Sequence, residues 1–338
     1  MVRQVLSVLV TGGAGFIGSN FVRHALRHHP DWHVTVLDKL TYAGNLDNLD
    51  GLRDQVTFVE GDIVDHDVVR TAMNGVDAVI NFAAETHVDR SLMDPGPFVR
   101  TNVEGVLVLL EEARRRPGVR LLQVSTDEVY GDTVGRSDHS REDDPLQPRS
   151  PYAATKAAAE HLVSTYYTSH GLDVVTVRGS NTYGPYQYPE KIIPLFITNA
   201  LENSRLPVYG DGRAVRDYLH VSDHCAGIDQ VLHYGASGEH YNLGARLQVS
   251  GLDLARRVLQ ILNKPLGLIQ FVTDRPGHDY RYSVDPSKAE ALGWQRLRTF
   301  EEGLADTIQW YATHETWWQR IRQSHGHRQL MERWYVKR

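Results

Sequence analysis

The chain has 338 residues, of which 41% are hydrophobic and 23% charged, a composition typical of a globular protein that buries a large core. Its net charge of -6 at pH 7 excludes a basic field that would recruit nucleic acid, and no Lys/Arg block suits a membrane surface. The single cysteine, Cys225, rules out an intramolecular disulfide and fits a cytoplasmic protein.

Short apolar runs alternate with helical patterns along the first half of the chain, and none approaches the roughly 18 residues of a membrane span. The first run leads directly into glycines, so we interpret it as a strand rather than a signal peptide. Strands are predicted at Val5–Val10, His33–Leu37, Val56–Glu60, Ala78–Phe82, Arg120–Ser125 and Asp173–Arg178, and helices at Phe16–His28, Val64–Met73, Val99–Arg115 and Tyr152–Ser169. This alternation predicts an α/β fold with a Rossmann-type, doubly wound parallel sheet.

The pattern loosens after about residue 178, where a smaller mixed α/β lobe is predicted to close over the carboxyl ends of the strands. Tyr209–Gly212 has the composition of a hairpin turn, and Leu252–Leu262 and Phe300–Thr313 have helical patterns. We therefore divide the chain into a sheet domain (1–178, with part of 217–245 returning to it), a second lobe (179–315) and a tail (316–338). The tail is predicted to be polar and partly disordered, without a metal site.

A glycine-rich loop follows the first strand and predicts a dinucleotide site. Gly12 permits a tight turn, Gly15 lets the backbone approach a pyrophosphate, and Gly18 lets the helix pack close to the sheet. Asp38 ends the second strand, where its carboxylate accepts hydrogen bonds from ribose hydroxyls and repels a 2′-phosphate. These residues favour NAD over NADP, although the adjacent Lys39 is a cation that would suit a phosphate.

Two groups of residues indicate proton-transfer chemistry. Tyr152 and Lys156 share one helix face, and a nearby ammonium together with an oxidised nicotinamide is expected to lower the pKa of the phenol by roughly 1–3 units. Thr126, Asp127 and Glu128 follow the fifth strand, and two adjacent carboxyl groups in a partly buried site are expected to have pKa values that diverge, one serving as acid and the other as base.

These motifs resemble the extended short-chain dehydrogenase/reductase superfamily, and within it the chain is most similar to the dTDP-glucose 4,6-dehydratase family. The resemblance extends from Val8 to about Tyr311. It is carried by the strings at 12–20, 38–45, 83–91, 125–131, 181–187 and 275–279, of which Asp38-Lys39-Leu40-Thr41 and Thr126-Asp127-Glu128 are the most discriminating.

The resemblance implies an NAD site in the first domain and a sugar-nucleotide site in the second lobe. The residues implied for NAD are Gly12, Gly15, Phe16, Ile17, Gly18, Asp38, Lys39, Leu40, Thr41, Asp62, Ile63, Ala83, Ala84, Thr101, Tyr152 and Lys156. Those implied for the substrate, dTDP-glucose, are Thr86, Thr126, Asn181, Lys191, Ile192, Pro207, Tyr209, Arg216, Asp274, Arg275 and His278. The family usually has asparagine at the position of Thr182 and near Gly251, which puts one cofactor contact and the choice of nucleotide in doubt.

The implied catalytic residues are Thr126, Asp127, Glu128, Tyr152 and Lys156, and the implied product is dTDP-4-keto-6-deoxyglucose. The alternatives are a C4-epimerase, a UDP-glucuronate decarboxylase, a UDP- or GDP-sugar dehydratase and a non-catalytic NAD-binding protein. An epimerase needs no acid to expel a hydroxyl group, so the Asp-Glu pair argues against it. The family also implies a homodimer formed through paired helices.

Overall fold

The computed structural model of the chain describes residues 5–274 and 277–331. Its strands are β1 (Ser7–Thr11), β2 (His33–Asp38), β3 (Val56–Glu60), β4 (Ala78–Asn81), β5 (Arg120–Thr126), β6 (Val174–Gly179), β7 (Asn181–Tyr183), β8 (Leu206–Tyr209), β9 (Val215–Arg216), β10 (Tyr218–His220), β11 (His240–Leu243), β12 (Val249–Ser250) and β13 (Ile269–Val272). Its helices are α1 (Phe16–His28), α2 (His66–Ala72), α3 (Val88–Met93), α4 (Gly96–Val99), α5 (Gly105–Arg114), α6 (Pro151–His170), α7 (Ile192–Leu201), α8 (Val221–Tyr234), α9 (Gly251–Ile261), α10 (Ser287–Glu290), α11 (Phe300–Thr313), α12 (Glu315–Gln323) and α13 (His325–Met331).

Seven parallel strands form the central sheet, in the order β11-β6-β5-β4-β1-β2-β3. Strand β1 lies inside it, so Val8 is paired with Val34 of β2 on one side and with Ala78 of β4 on the other. The predicted α/β class and all six predicted strands of the first half are confirmed, with ends shifted by no more than two residues. The order reverses between β1 and β4, which places a crevice at their carboxyl ends.

Alternating side chains of the sheet fill two separate cores. Val8 and Val10 of β1 pack with Phe21 of α1 and Ile228 of α8, whereas Leu9 faces the opposite layer, which is formed largely by α5 and α6. Helices therefore cover both faces, as a doubly wound sheet requires. None of the helices in the described part of the chain is both long and apolar enough to cross a membrane.

The second lobe has three short strand pairs, and they correct one prediction. The turn at Tyr209–Gly212 forms, because the N–H of Gly212 donates to the carbonyl of Tyr209 at 2.9 Å. The predicted hairpin is wrong, since β8 pairs in parallel with β13 and β9 pairs antiparallel with β12. The backbone N–H and carbonyl groups of β8 and β9 therefore bond to strands distant in the sequence and not to each other.

The predicted disorder of the tail is wrong for the residues up to 331, which form α12 and α13. The indole of Trp318 is 1% exposed and donates to the carbonyl of Tyr311 at 2.9 Å. Trp317 donates to the side chain of Asn48 at 2.9 Å. Burial of these aromatic side chains outweighs the polarity of their neighbours, so the segment packs against the rest of the protein. The division into a sheet domain, a lobe and a tail stays a prediction.

Replacing Trp318 by Ala is expected to reduce the free energy of unfolding by about 3–5 kcal/mol, because it leaves a large cavity in the core of the second lobe. Urea denaturation monitored by circular dichroism measures this change. The matched control is Leu297→Ala at a side chain that is 80% exposed, which should stay within about 0.5 kcal/mol of the parent. Equal loss in the two variants would contradict the packed position of α12.

Candidate active site

The loop between β1 and α1 has a shape that only glycine permits. Gly12 has φ of 67°, and a Cβ atom there would lie 2.6 Å from the backbone nitrogen of Ala83. A Cβ on Gly18 would collide with the carbonyl oxygen of Gly12. The loop, β4 and α1 therefore approach one another more closely than any side chain allows.

The N-terminus of α1 opens into the first of two cavities. Its N-cap residue, Gly15, provides no side-chain hydrogen bond, so side chains do not satisfy the first N–H groups of the helix. Gly15, Phe16 and Ile17 line this cavity. Uncapped N–H groups at the positive end of a helix dipole fit a pyrophosphate.

Asp38 is fixed at the carboxyl end of β2 by the backbone. Its two carboxyl oxygens accept the N–H groups of Ala14 and Leu40, each at 2.9 Å, and each oxygen retains a lone pair for a ribose hydroxyl. Burial raises the pKa of Asp38, and the two hydrogen bonds oppose that rise. The Nζ atom of Lys39 lies 2.6 Å from the carboxylate of Asp62. Lys39 is therefore neutralised by a carboxylate, which removes the main argument for a 2′-phosphate.

The first cavity has an empty volume of about 1550 Å³, including the part open to solvent, and the predicted cofactor residues converge on it. Leu40 is the exception, since its side chain packs against the core and only its N–H contributes, through Asp38. The other residues predicted for NAD line the cavity: Gly12, Gly15, Phe16, Ile17, Gly18, Asp38, Lys39, Thr41, Asp62, Ile63, Ala83, Ala84, Thr101, Tyr152 and Lys156.

The end of β5 delivers the adjacent carboxyl groups to the floor of this cavity. Thr126 caps the turn that follows, its hydroxyl accepting the N–H of Glu128 at 3.3 Å. Asp127 is 2% exposed, and its Oδ2 atom has no hydrogen-bond partner among the described residues. Burial raises the pKa of Asp127 well above its ordinary value, and the negative charges of Glu128 and Asp217 raise it further. Burial and these charges therefore favour the protonated form of Asp127, which is the form that a general acid needs.

Tyr152 and Lys156 occupy the buried face of α6 beside these groups. Burial raises the pKa of Tyr152, as do the negative charges of Glu128 and Asp127, while a hydrogen bond with Thr126 lowers it. The expected lowering of this pKa is thus absent in the protein alone, because desolvation and the neighbouring carboxyl groups outweigh the hydrogen bond with Thr126. The Nζ atom of Lys156 donates to the carbonyl of Val124 at 2.6 Å, and burial lowers its pKa to about 8.

A second cavity, with an empty volume of about 1000 Å³, is lined mainly by residues between 181 and 282. Glu128, Asn181 and Lys191 line both cavities, so the two meet at Glu128, one of the predicted catalytic residues. Of the predicted substrate residues, those lining the second cavity are Asn181, Lys191, Ile192, Pro207, Tyr209, Arg216 and His278.

Three predicted substrate residues lie elsewhere. Thr86 and Thr126 line the first cavity, and the carbonyl of Thr86 accepts a hydrogen bond from Lys191 at 3.0 Å. Asp274 lines neither cavity, but its carboxylate lies 2.7 Å from Nδ1 of His278 and so orients that ring. Arg275 lies outside the described residues.

Arg216 is held at the second cavity by three contacts. Its guanidinium donates to the carbonyls of Val215 and Asp279 at 2.8 and 2.9 Å and lies 4.6 Å from the centre of the Tyr282 ring. These contacts fix its position without neutralising its charge, so it can meet an anionic ligand.

Sequence reasoning missed several residues of the second cavity, notably His87, Asp89 and Glu190. Glu190 is buried, and one of its oxygens lies 2.9 Å from the guanidinium of Arg90. The string at 83–91 contained part of this group, but the pairing with Glu190 across a hundred residues had no sequence signal. Gly251, where the family usually has a nearby asparagine, lines the same cavity.

Thr182 departs from the family pattern within the first cavity. Its hydroxyl lies 2.7 Å from Nδ1 of His224 and donates to the carbonyl of Ser180 at 3.1 Å. Burial lowers the pKa of His224 to about 4, so the imidazole is neutral at physiological pH. The threonine therefore serves mainly to order the cavity wall.

Comparison with known proteins agrees with this geometry. The model of the GDP-mannose 4,6 dehydratase family matches residues 9–307. A dTDP-glucose 4,6-dehydratase of Streptomyces niveus is 47% identical over 325 residues, covering 94% of this chain and 96% of the relative. The low-salt glycan biosynthesis protein Agl12 of Haloferax volcanii is 48% identical, with 90% and 98% covered. The crystal structure of the dTDP-glucose 4,6-dehydratase DesIV from Streptomyces venezuelae, with NAD and TYD bound, superimposes with a TM-score of 0.91 at 46% identity, covering 94% of this chain and 100% of that one.

The site combines a Rossmann-type sheet, a glycine loop and a Tyr-Lys pair in the first cavity with a second cavity that joins the first at Glu128. This combination defines the class of nucleotide-sugar enzymes built on a dinucleotide-binding fold. Within that class, the chain belongs to the dTDP-glucose 4,6-dehydratase family.

Replacing Asp38 by Asn is expected to weaken NAD binding about ten- to a hundredfold. The NH₂ group of the asparagine would face the N–H of Ala14 or Leu40, and that N–H would lose its acceptor. Fluorescence titration of cofactor-free protein measures the dissociation constant. Asp31→Asn, at an exposed residue before β2, is the control. Unchanged affinity in the Asp38 variant would place the ribose elsewhere.

Proposed function

We propose that this chain converts dTDP-glucose to dTDP-4-keto-6-deoxyglucose and water, using NAD that stays in the first cavity through the reaction. The observation that carries the proposal is the buried Asp127, whose Oδ2 atom has no partner among the described residues. Asp127 lines the first cavity next to Glu128, which lines both cavities. A protonated carboxyl group in this position is what expulsion of the C6 hydroxyl requires.

The first cavity fits NAD in shape and charge. The uncapped start of α1 suits the pyrophosphate, and Asp38 suits the adenosine ribose. Lys39 is paired with Asp62, so its charge is not available to a 2′-phosphate. NAD supplies a hydride acceptor for C4 and then a hydride donor for C6, so the reaction has no net redox change. DesIV and a second dTDP-glucose 4,6-dehydratase, from Bacillus anthracis, have crystal structures with NAD.

The first proton transfer is assigned to Tyr152. The phenolate of Tyr152 takes the proton from the C4 hydroxyl. The Thr126 side chain forms a hydrogen bond with the phenolic oxygen of Tyr152 and so holds it in place. Since burial opposes ionisation of Tyr152 in the protein alone, the phenolate depends on positive charge from Lys156 and from the oxidised nicotinamide ring. Lys156 also holds the nicotinamide ribose.

Glu128 and Asp127 divide the elimination between them. The C4 ketone makes the C5 proton acidic, and the Glu128 carboxylate removes it as general base. Asp127 donates its proton to the departing C6 hydroxyl, which leaves as water. Glu128 then returns a proton to C5 when C6 receives the hydride. The negative charge of Glu128 raises the pKa of Asp127 and so favours its protonated form, since two adjacent carboxyl groups resist ionising together.

The second cavity is assigned to the nucleotide and its diphosphate. Arg216 provides a fixed guanidinium for the diphosphate, and the aromatic side chain of Tyr209 adds a surface for the base. A C4-epimerase would have no use for a protonated Asp127, which argues against that alternative.

Two further features complete the proposal. A homodimer through α5 and α6 is supported by exposed apolar side chains on and near these helices, including Val99, Leu107 and Tyr167, and equilibrium sedimentation would measure its mass.

A cytoplasmic location is supported by the lone cysteine, which is buried and reduced, and cell fractionation would test it.

The activity is tested by incubating the chain with dTDP-glucose and identifying the 4-keto sugar by mass spectrometry. Asp127→Asn is expected to slow product formation about 10²–10⁴-fold, because it removes the acid that expels the hydroxyl group. The same variant should still exchange the C5 hydrogen with deuterated water, since Glu128 and the C4 oxidation are intact.

Glu128→Gln is the complementary variant and should lose the exchange as well as the product. Asp143→Asn, at an exposed residue before α6, is the control for removing a carboxylate. Wild-type rates for both steps in the Asp127 variant would refute its role as acid. No 4-keto sugar from the parent chain would refute the function itself.

Affinity for NAD is expected to weaken as pH rises through about 8, because that is the pKa to which burial lowers the Lys156 ammonium and its loss removes a ribose contact. Lys156→Met should bind NAD weakly and lose this pH dependence. Titrations at a series of pH values measure both effects, with Lys264→Met, outside both cavities, as the control. A parent affinity that is flat across this range would contradict the role of the ammonium.

A further inference from the structure

A cluster of imidazoles around one carboxylate lies where the end of α1 packs on α8, outside both cavities. Asp229 of α8 is its centre. The Nε2 atom of His29 lies 2.9 Å from Oδ2 of Asp229, and Nδ1 of His233 lies 3.3 Å from Oδ1. Nothing in the proposed reaction uses these residues.

The elements that supply the cluster also fix its geometry. Asp229 and His233 are four residues apart on α8 and share one face. His29 is the C-cap of α1, where its N–H donates to the carbonyl of Ala25 at 2.8 Å. The His29 ring stacks on Trp32 at 4.0 Å between ring centres, and on His233 at 5.2 Å. Stacked rings have few alternative orientations, so the nitrogen atoms are held in place before any ligand arrives.

The donor atoms of His29, Asp229 and His233 lie within 4.8 Å of one another. Two ligands at the tetrahedral angle on a zinc ion are about 3.4 Å apart, so the observed separations from the carboxylate need only small side-chain rotations. The side chains are 24%, 17% and 13% exposed, so an ion from solvent can reach them. Three protein ligands leave a fourth position for water.

The surroundings contain a partner that would orient the carboxylate. The Nε2 atom of His24 lies 3.1 Å from Oδ2 of Asp229, and its ring lies 4.4 Å from that of His28 one turn later. Metal-bound carboxylates commonly take such an outer hydrogen bond, which fixes the ligand. Imidazole nitrogens with one carboxylate suit zinc, nickel and copper and are a poor set for magnesium or calcium.

We propose that His29, Asp229 and His233 form a binding site for one divalent transition-metal ion of the zinc class, which joins α1 to α8. The ion would replace the protons that the imidazoles now share with the carboxylate and, at Nδ1 of His233, with the backbone carbonyl of Asp229 at 2.9 Å. Because it binds the folded chain, it should raise the melting temperature without taking part in the reaction.

The test titrates the full-length, tag-free chain with zinc in competition with a chromogenic chelator. The parent should bind one ion per chain, and His29→Gln and Asp229→Asn should each weaken binding by more than about a hundredfold. His24→Gln should weaken it about ten- to a hundredfold, since it removes an outer partner. His325→Gln, at an exposed histidine of α13, is the matched control and should bind as the parent does.

Two measurements separate loss of the site from loss of the fold. Melting curves without metal should show that His29→Gln and His24→Gln are folded, and only the parent and the His325 variant should gain roughly 5 °C with excess zinc. Cobalt should give the parent a visible absorption band of a tetrahedral site that is absent in His29→Gln. A parent that binds no stoichiometric zinc, or a folded His29 variant that binds as tightly as the parent, would overturn the proposal.

Discussion

Desolvation of Asp127 at the carboxyl end of β5 is the constraint on which the rest of the site depends. The strand is buried along its whole length, so its last side chains enter a region that water scarcely reaches. Desolvation there favours the protonated form of a carboxyl group, and the negative charge of Glu128 one residue later raises the pKa of Asp127 further. The same desolvation opposes ionisation of Tyr152 and weakens the hold of Lys156 on its proton. The exclusion of water thus shifts the pKa values of Asp127, Tyr152 and Lys156 together.

Much of this arrangement was predictable because it is encoded locally. The glycine loop, Asp38 and the Tyr-Lys pair belong to short stretches whose spacing dictates their geometry, and the sheet follows from alternating strands and helices. The raised pKa of Tyr152 was not predictable in the same way, because it depends on how completely the folded protein excludes water around the phenol.

Other features escaped prediction because they depend on partners far apart in the sequence. The pairing of β8 with β13 across some sixty residues replaced a plausible hairpin. The ion pair of Lys39 with Asp62 joins the ends of two neighbouring strands. A lysine beside the ribose site suggests phosphate binding, but this pairing occupies its charge. The prediction of a disordered tail was wrong because composition shows how polar a segment is but not whether its tryptophan side chains pack against the rest of the protein.

The packing of the tail affects the order in which contacts around the glycine loop form during synthesis. Asn48 donates to the carbonyl of Ala14 in the glycine loop and accepts the indole N–H of Trp317. One buried amide thus couples a loop made near the beginning of synthesis to a helix made near its end. While the chain is still emerging from the ribosome, Asn48 lacks this hydrogen bond, which can form only after translation has passed α12.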